Sequence, residues 1–285
     1  MVISALRRFI AERLASNGVE DASFDADNLV AFGLKMTKTE LMINFDREVD
    51  SEDEKRICSL ADRRISGEPL QYIIGEWEFY SLPFYVGNGV LIPRADTEIL
   101  VDHAIEFLKT RDSARAIDLC SGSGCIAISV KANLPSVSVF AVELYQKAMG
   151  YLTKNVERNG VEIEVINTDV LAEPTGFEKF DAILTNPPYI ETKTVKTLSK
   201  EVQNEPITAL DGGEDGLVFY RAIAKNWVPL LKKDGRIFAE IGEDQAEVVT
   251  EIFENHGLKC QTIKDLNGHD RVIIGTVKDI RYNQT

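Results

Sequence analysis

Apolar positions in the first 72 residues recur at helical spacing. Ile3, Leu6, Ile10 and Leu14 share one face, Ala26, Leu29, Val30 and Leu34 a second, and Ile57, Leu60 and Ala61 a third, after the acidic start Ser51-Glu-Asp-Glu. No strand-like alternation interrupts them, so residues 1–72 are expected to form a small helical bundle. Its polar residues form no convergent set, which points to docking or stabilisation rather than chemistry. Between Gly67 and Pro93 the pattern becomes alternating and aromatic, with Trp77, Phe79 and Tyr80 facing Phe84, Tyr85 and Val86 across Ser81-Leu82-Pro83. That predicts a β-hairpin connector over 73–92. Beyond it, strands at 114–119, 137–142, 163–167, 180–185, 235–241, 258–263 and 271–276 intersperse with helices at 96–110, 124–132, 145–158, 216–230 and 243–256. This order predicts an α/β domain over 93–285, with a seven-stranded, mainly parallel sheet covered on both faces.

Charge narrows what such a protein can bind. The 285-residue chain carries a formal charge of −14, so phosphate-driven binding to nucleic acid would need a local basic patch. The nearest clusters, Arg7-Arg8, Lys55-Arg56, Arg63-Arg64 and Lys232-Lys233, read as ordinary solvated faces, and direct nucleic-acid binding is not expected. Cys58, Cys120, Cys125 and Cys260 lack metal-ligand spacing and read as free thiols, so no metal is expected. Neither a signal peptide nor an apolar membrane span is present, so a cytoplasmic protein is expected, and no leftover apolar periodicity argues against a monomer.

Candidate chemistry gathers where the strands end. Asp118, Cys120, Ser121, Gly122, Ser123 and Gly124 lead from a strand through a glycine turn into a helix. The glycines can take φ values closed to other residues and let backbone approach a ligand. Alone, the pair fits a plain tight turn equally well. Two later acids change the balance. Glu143 ends the next strand, where a carboxylate accepts both ribose hydroxyls in doubly wound sheets, and Asp169 follows the third, placed to accept from an adenine amine with Val170 against the ring. A nicotinamide dinucleotide would use similar residues. The acid inside the strand, in Asp-x-x-x-Gly-x-Gly, looks more like an S-adenosylmethionine site.

The fourth strand runs into Asn186-Pro187-Pro188-Tyr189. Two prolines hold φ near about −65° and donate no N–H, so carbonyls here serve as fixed acceptors. Asn186 adds a side-chain acceptor and Tyr189 a flat face. Such a set suits a planar NH2 group held for attack on an electrophile. A dehydrogenase has no evident use for it.

Taken together, these residues resemble the PrmC/HemK protein-glutamine methyltransferases. The resemblance spans Gly67-Glu-Pro-Leu-Gln-Tyr-Ile-Ile-Gly75, Glu78-Phe-Tyr80, Val90-Leu-Ile-Pro-Arg94, Asp96-Thr-Glu98 and the Asp118–Gly124 turn. It continues through Asn186-Pro-Pro-Tyr-Ile190, Glu205-Pro206, Ala209-Leu-Asp-Gly-Gly213, Asp215-Gly216 and Asp270-Arg-Val272. Ala95 replaces the usual proline, and Cys120-Ser121 the commoner Gly-Thr. The resemblance implies a Rossmann-like S-adenosylmethionine-dependent domain that methylates the glutamine of the Gly-Gly-Gln loop in class 1 peptide chain release factors. It also implies that Asn186 and the Pro187 carbonyl hold the target amide, that Tyr189 packs on its plane, and that Asn186 touches the donor. The polar stretch 191–216 is expected to be a flap over the substrate loop, and the helical domain to grip the rest of the release factor. Alternatives are glutamine methylation of a ribosomal protein, adenine amino-methylation of DNA or RNA, and a non-catalytic docking protein with the same fold.

Overall fold

The computed structural model describes residues 1–278; positions 279–285, the end of the expected 93–285 domain, lie outside the described residues. The chain forms two compact units. The first comprises Met1–Glu76 together with Ser199–Asn204, and the second takes up the remaining described residues from Trp77 onward.

In the first unit, α1 (Ile3–Ser16) buries Ile3, Leu6, Ile10 and Leu14, α2 (Ala22–Leu34) buries Ala26, Leu29 and Val30, and α4 (Ser51–Ile65) buries Ile57, Leu60 and Ala61. These are the apolar positions whose spacing predicts the helices, apart from Leu34, which is half-buried. Periodicity missed two short elements. α3 (Lys38–Ile43) buries only Leu41 and starts on a reciprocal capping box between Thr37 and Glu40. α5 (Leu70–Ile74) is a single turn. The reading of Arg63-Arg64 as solvated is corrected at Arg64. Its guanidinium, with 11% of the side chain exposed, bridges the buried carboxylate of Asp25 at 2.6 Å and Glu201 at 2.8 Å. Glu201 lies in α10 (Lys200–Gln203). Paired on both sides, the charge is tolerated inside.

The hairpin strands β1 (Glu76–Phe79) and β2 (Leu82–Tyr85) precede a seven-stranded sheet that belongs to the second unit. Its strands are β3 (Arg115–Leu119), β4 (Ser138–Val142), β5 (Glu164–Ile166), β6 (Phe180–Thr185), β7 (Leu231–Glu240), β8 (Leu258–Lys264) and β9 (Asp270–Val277), in the spatial order β5-β4-β3-β6-β7-β9-β8. The first five run parallel, while β9 is antiparallel to both β7 and β8. Every residue of β6 is buried, as a strand covered on both faces requires. Along it Ala182 and Leu184 pack with α6 (Thr97–Leu108) and α7 (Cys125–Asn133). Phe180 and Ile183 pack on the opposite face with Trp227 and α12 (Ala246–Asn255).

Two elements depart from expectation. The single helix predicted over 216–230 is α11 (Val218–Ala222), then a π turn at Ile223–Trp227 and a 3-10 turn at Val228–Leu230. Pro229 cannot donate within a regular helix, and Trp227, fully buried, donates its indole N–H to the Val170 carbonyl at 2.9 Å. The stretch 191–216 holds the short helices α9 (Thr192–Val195) and α10 and a 3-10 turn at Ile207–Ala209. It is tied to the end of the tetrapeptide by a parallel bridge between Ile190 and Asp211.

Candidate active site

The chain leaves β3 through five residues, three of them at positive φ: Cys120 at 61°, Gly122 at 56° and Gly124 at 81°. Such values suit the glycines and are unusual for cysteine. The turn is closed by Gly124 N–H to the Ser121 carbonyl at 2.7 Å and by Ser121 N–H to the Val142 carbonyl at 2.9 Å. Burial pushes the Cys120 thiol well above its ordinary pKa, so it stays neutral.

Asp118 lies beneath this turn with no exposure and does not line the cavity above it. Its Oδ2 accepts from Ala127 N–H at 3.3 Å, while Oδ1 is buried without a hydrogen-bond partner among the described residues. Burial raises its pKa to about 8, against the opposing bonds from Ala127 and Ser121. Its side chain therefore ties the end of β3 to α7 and does not reach the cavity, which corrects the expectation that it binds the cofactor directly. Gly124 likewise stays off the cavity wall. A Cβ there would meet Leu152 at 2.3 Å and Ile128 at 3.0 Å, so this glycine lets α7 pack against α8 (Gln146–Asn159).

Cys120, Ser121, Gly122, Ser123, Glu143, Asp169, Val170 and Asn186 do line one cavity at the carboxyl ends of the parallel strands. Glu143 accepts from Gly122 N–H at 2.9 Å and Tyr145 N–H at 2.8 Å, which fixes both of its oxygens. Burial raises its pKa, with those backbone bonds opposing. Asp169 uses Oδ1 to accept from Leu171 N–H at 2.8 Å. Two anchored carboxylates, a glycine whose missing Cβ opens the wall and an apolar flank at Val170 fit a nucleoside-bearing group.

The tetrapeptide follows β6 directly. Asn186 and Pro188 line the same cavity; Pro187 and Tyr189 do not. The Tyr189 ring packs against the core face shared by Tyr220 and Trp227. Its hydroxyl donates to Glu240 Oε1 at 3.4 Å, and its carbonyl accepts from Gln245 Nε2 at 3.0 Å. Asn186 Nδ2 donates to Thr97 Oγ1 at 3.1 Å, and Thr97 Oγ1 donates to Glu240 Oε2 at 2.5 Å. Asn186 Oδ1 is left without a partner among the described residues. Sequence reasoning missed Thr97 and Glu240. Glu240 carried the signal already used for Asp118 and Glu143, an acid at or near the end of an apolar strand. The sequence motifs include Arg94 and Glu205 without pairing them: Glu205, 3% exposed, accepts from Ile92 N–H at 2.9 Å and from the guanidinium of Arg94, which lines the cavity.

A sheet of this order, with a glycine turn after its first parallel strand and an acid at the end of the next, defines a Rossmann-like methyltransferase. Solved structures share that fold. The catalytic domain of hMettl16 in complex with a 3'UTR hairpin superposes with a TM-score of 0.58 at 17% identity, over 81% of this chain and 84% of that one. The T. thermophilus 16S rRNA methyltransferase RsmC, in complex with AdoMet and guanosine, does so with a TM-score of 0.52 at 19% identity, over 71% and 50%. The PrmC N-terminal domain family matches residues 5–75 and the Methyltransferase small domain family residues 95–237. A release factor glutamine methyltransferase of Thermodesulfovibrio yellowstonii is 41% identical, covering 88% of this chain and 91% of its own. One of Geobacter sulfurreducens is 40% identical, covering 93% of each. The chain belongs to the release factor glutamine methyltransferase family.

Proposed function

We infer that this chain transfers a methyl group from S-adenosylmethionine to the side-chain amide nitrogen of the glutamine in the Gly-Gly-Gln loop of class 1 peptide chain release factors, acting in the cytoplasm. The observation that carries the reading is Asn186. Its side chain lines the same cavity as Glu143 and Asp169, with Nδ2 engaged by Thr97 and Oδ1 left to accept. The names of the relatives supply the substrate class.

S-adenosylmethionine supplies an electrophilic methyl group on a sulfonium sulfur. Glu143 would accept the ribose hydroxyls, Asp169 would accept from the adenine amine, and Val170 would pack on the ring. Asn186 Oδ1 accepts one of the two amide hydrogens of the glutamine; Pro187 lies off the cavity wall, so its carbonyl is not assigned the other. An amide nitrogen is a poor nucleophile because its lone pair is delocalised, so position matters more than basicity here. Holding the nitrogen in line with the methyl carbon can be worth about 7–11 kcal/mol in favourable systems. As the N–C bond forms and the C–S bond breaks, positive charge grows on nitrogen, and Asn186 Oδ1 would bind it more strongly than in the ground state. The nitrogen is acidic only after transfer, and its proton then passes to water.

The test incubates the full chain with labelled S-adenosylmethionine and a release factor, a ribosomal protein or nucleic acid. Label should enter the release factor and vanish when its loop glutamine is replaced. Label in the ribosomal protein or the nucleic acid alone would overturn the reading.

A further inference from the structure

We propose that Glu240 and Thr97 are positioning residues that set which end of the Asn186 side-chain amide faces the substrate. This rests on the proposed function only for the identity of that substrate. An amide side chain presents an oxygen or an NH2 group depending on a half-turn about one bond, and only the oxygen can accept from a glutamine N–H. Thr97 decides between them because its single hydroxyl proton can go only one way.

An ionised carboxylate accepts and cannot donate, so Thr97 Oγ1, 2.5 Å from Glu240 Oε2, must give its proton to Glu240. Its remaining lone pairs can then only accept, and the Asn186 group 3.1 Å away must be the NH2 end. Oδ1 is thereby the end left to accept. The relay is sheltered: Thr97 is 1% exposed and Glu240 2%. At that burial, breaking the Thr97–Glu240 bond leaves a buried polar group unpaired.

The direction of the relay depends on the charge of Glu240. Facing it are Asp96 and Thr97 at the start of α6, Cys125 on α7, Tyr189 after β6, Tyr220 on α11, whose hydroxyl bonds the Glu240 carbonyl, and Arg271 on β9. Burial raises the Glu240 pKa to about 7, with the Thr97 bond and Arg271 opposing. Once protonated, Glu240 can donate to Thr97, Thr97 can donate onward, and Asn186 can turn its oxygen inward.

Two readouts separate this relay from the proposed function. In the full chain with S-adenosylmethionine, the Asn186 side-chain NH2 resonances, identified by their loss in Asn186→Ala, should shift in Thr97→Val and return in Thr97→Ser. With labelled cofactor and a release factor, kcat of Thr97→Val should fall about 10- to 100-fold, the scale of a small misplacement. KM for the cofactor should hold, and Thr97→Ser should recover most of the rate. Should Thr97→Val fail to fold, the wild-type Asn186 resonances should move as pH passes through about 7 and stay fixed in Glu240→Gln. Unmoved resonances in Thr97→Val, equal losses in the valine and serine variants, or the same pH response in Glu240→Gln would each overturn the relay. An unlabelled release factor with wild-type protein would sink the proposed function instead, and leaves the resonance test standing.

Discussion

Gly122 N–H donates to the Glu143 carboxylate across 2.9 Å, tying the turn after β3 to the acid that ends β4. One residue supplies backbone that can come close to a ligand, and the other supplies charge. The bond holds them at one spacing before any ligand arrives. Glu143→Gln should therefore weaken S-adenosylmethionine binding more than the loss of one neutral contact would. Hydrogen bonds to charged groups contribute about 1.5–3 kcal/mol, so titration calorimetry should show affinity lower by about 10- to 100-fold. Affinity within about twofold of wild type would remove Glu143 from the cofactor site.

Asn186→Ala should separate chemistry from binding. On the proposed function its Oδ1 accepts from the target amide, and losing a preorganised group of this kind costs on the order of 100- to 1000-fold in rate. Single-turnover transfer should fall by that much while cofactor affinity declines only modestly. A parallel collapse of both would make Asn186 a cofactor ligand first.

How far the sequence reached follows from the range of each interaction. Ile3, Leu6, Ile10 and Leu14 were legible because helical periodicity is local, and all four are buried on α1. Glu143 and Asp169 were legible because strand ends face the ligand in this topology, and both line the cavity. Gly124 was marked as a glycine of the turn, but its partner Leu152 comes from another helix, so its packing role lay beyond any local pattern. Arg64 is similar: its charge argues for the surface, and only folding brings Asp25 and Glu201 to it. Thr97 and Glu240 stand 143 positions apart, and no spacing rule links residues at that distance.

Stability should depend on pH through Asp118. Its pKa rises from 3.8 to about 8 because burial disfavours the charged form. Between those values the folded protein keeps a proton that the unfolded chain has released. Unfolding free energy from this group therefore falls as pH rises from about 4 to about 8, and levels off above. Glu240, raised from 4.5 to about 7, adds in the same direction. Melting temperatures taken at about pH 5, 6, 7 and 8 should show Asp118→Asn with a shallower pH slope than wild type. Identical slopes would mean that Asp118 titrates at its ordinary value in the folded protein.

The back of the tetrapeptide should be the least tolerant place for a methyl group. A Cβ on Gly212 would lie 2.7 Å from the Tyr189 Cα and 2.8 Å from the Pro188 carbonyl oxygen, and both obstacles are backbone. The same glycine donates its N–H to the Ile190 carbonyl at 2.8 Å, so it cannot retreat without breaking that bond. Gly212→Ala must therefore displace the tetrapeptide or lose the bridge, at a cost of about 1–3 kcal/mol. On the proposed function, a shift at Asn186 would also slow transfer. Gly150 gives the matched control: it lies inside α8, and a Cβ there meets nothing within 4 Å. Gly150→Ala should raise stability by about 0.5–1 kcal/mol, since alanine has less freedom to lose on folding. Denaturant unfolding of the two variants should move in opposite directions, and only Gly212→Ala should lose transferase activity. A Gly212→Ala protein with wild-type stability and rate would show that the tetrapeptide has slack the packing denies it.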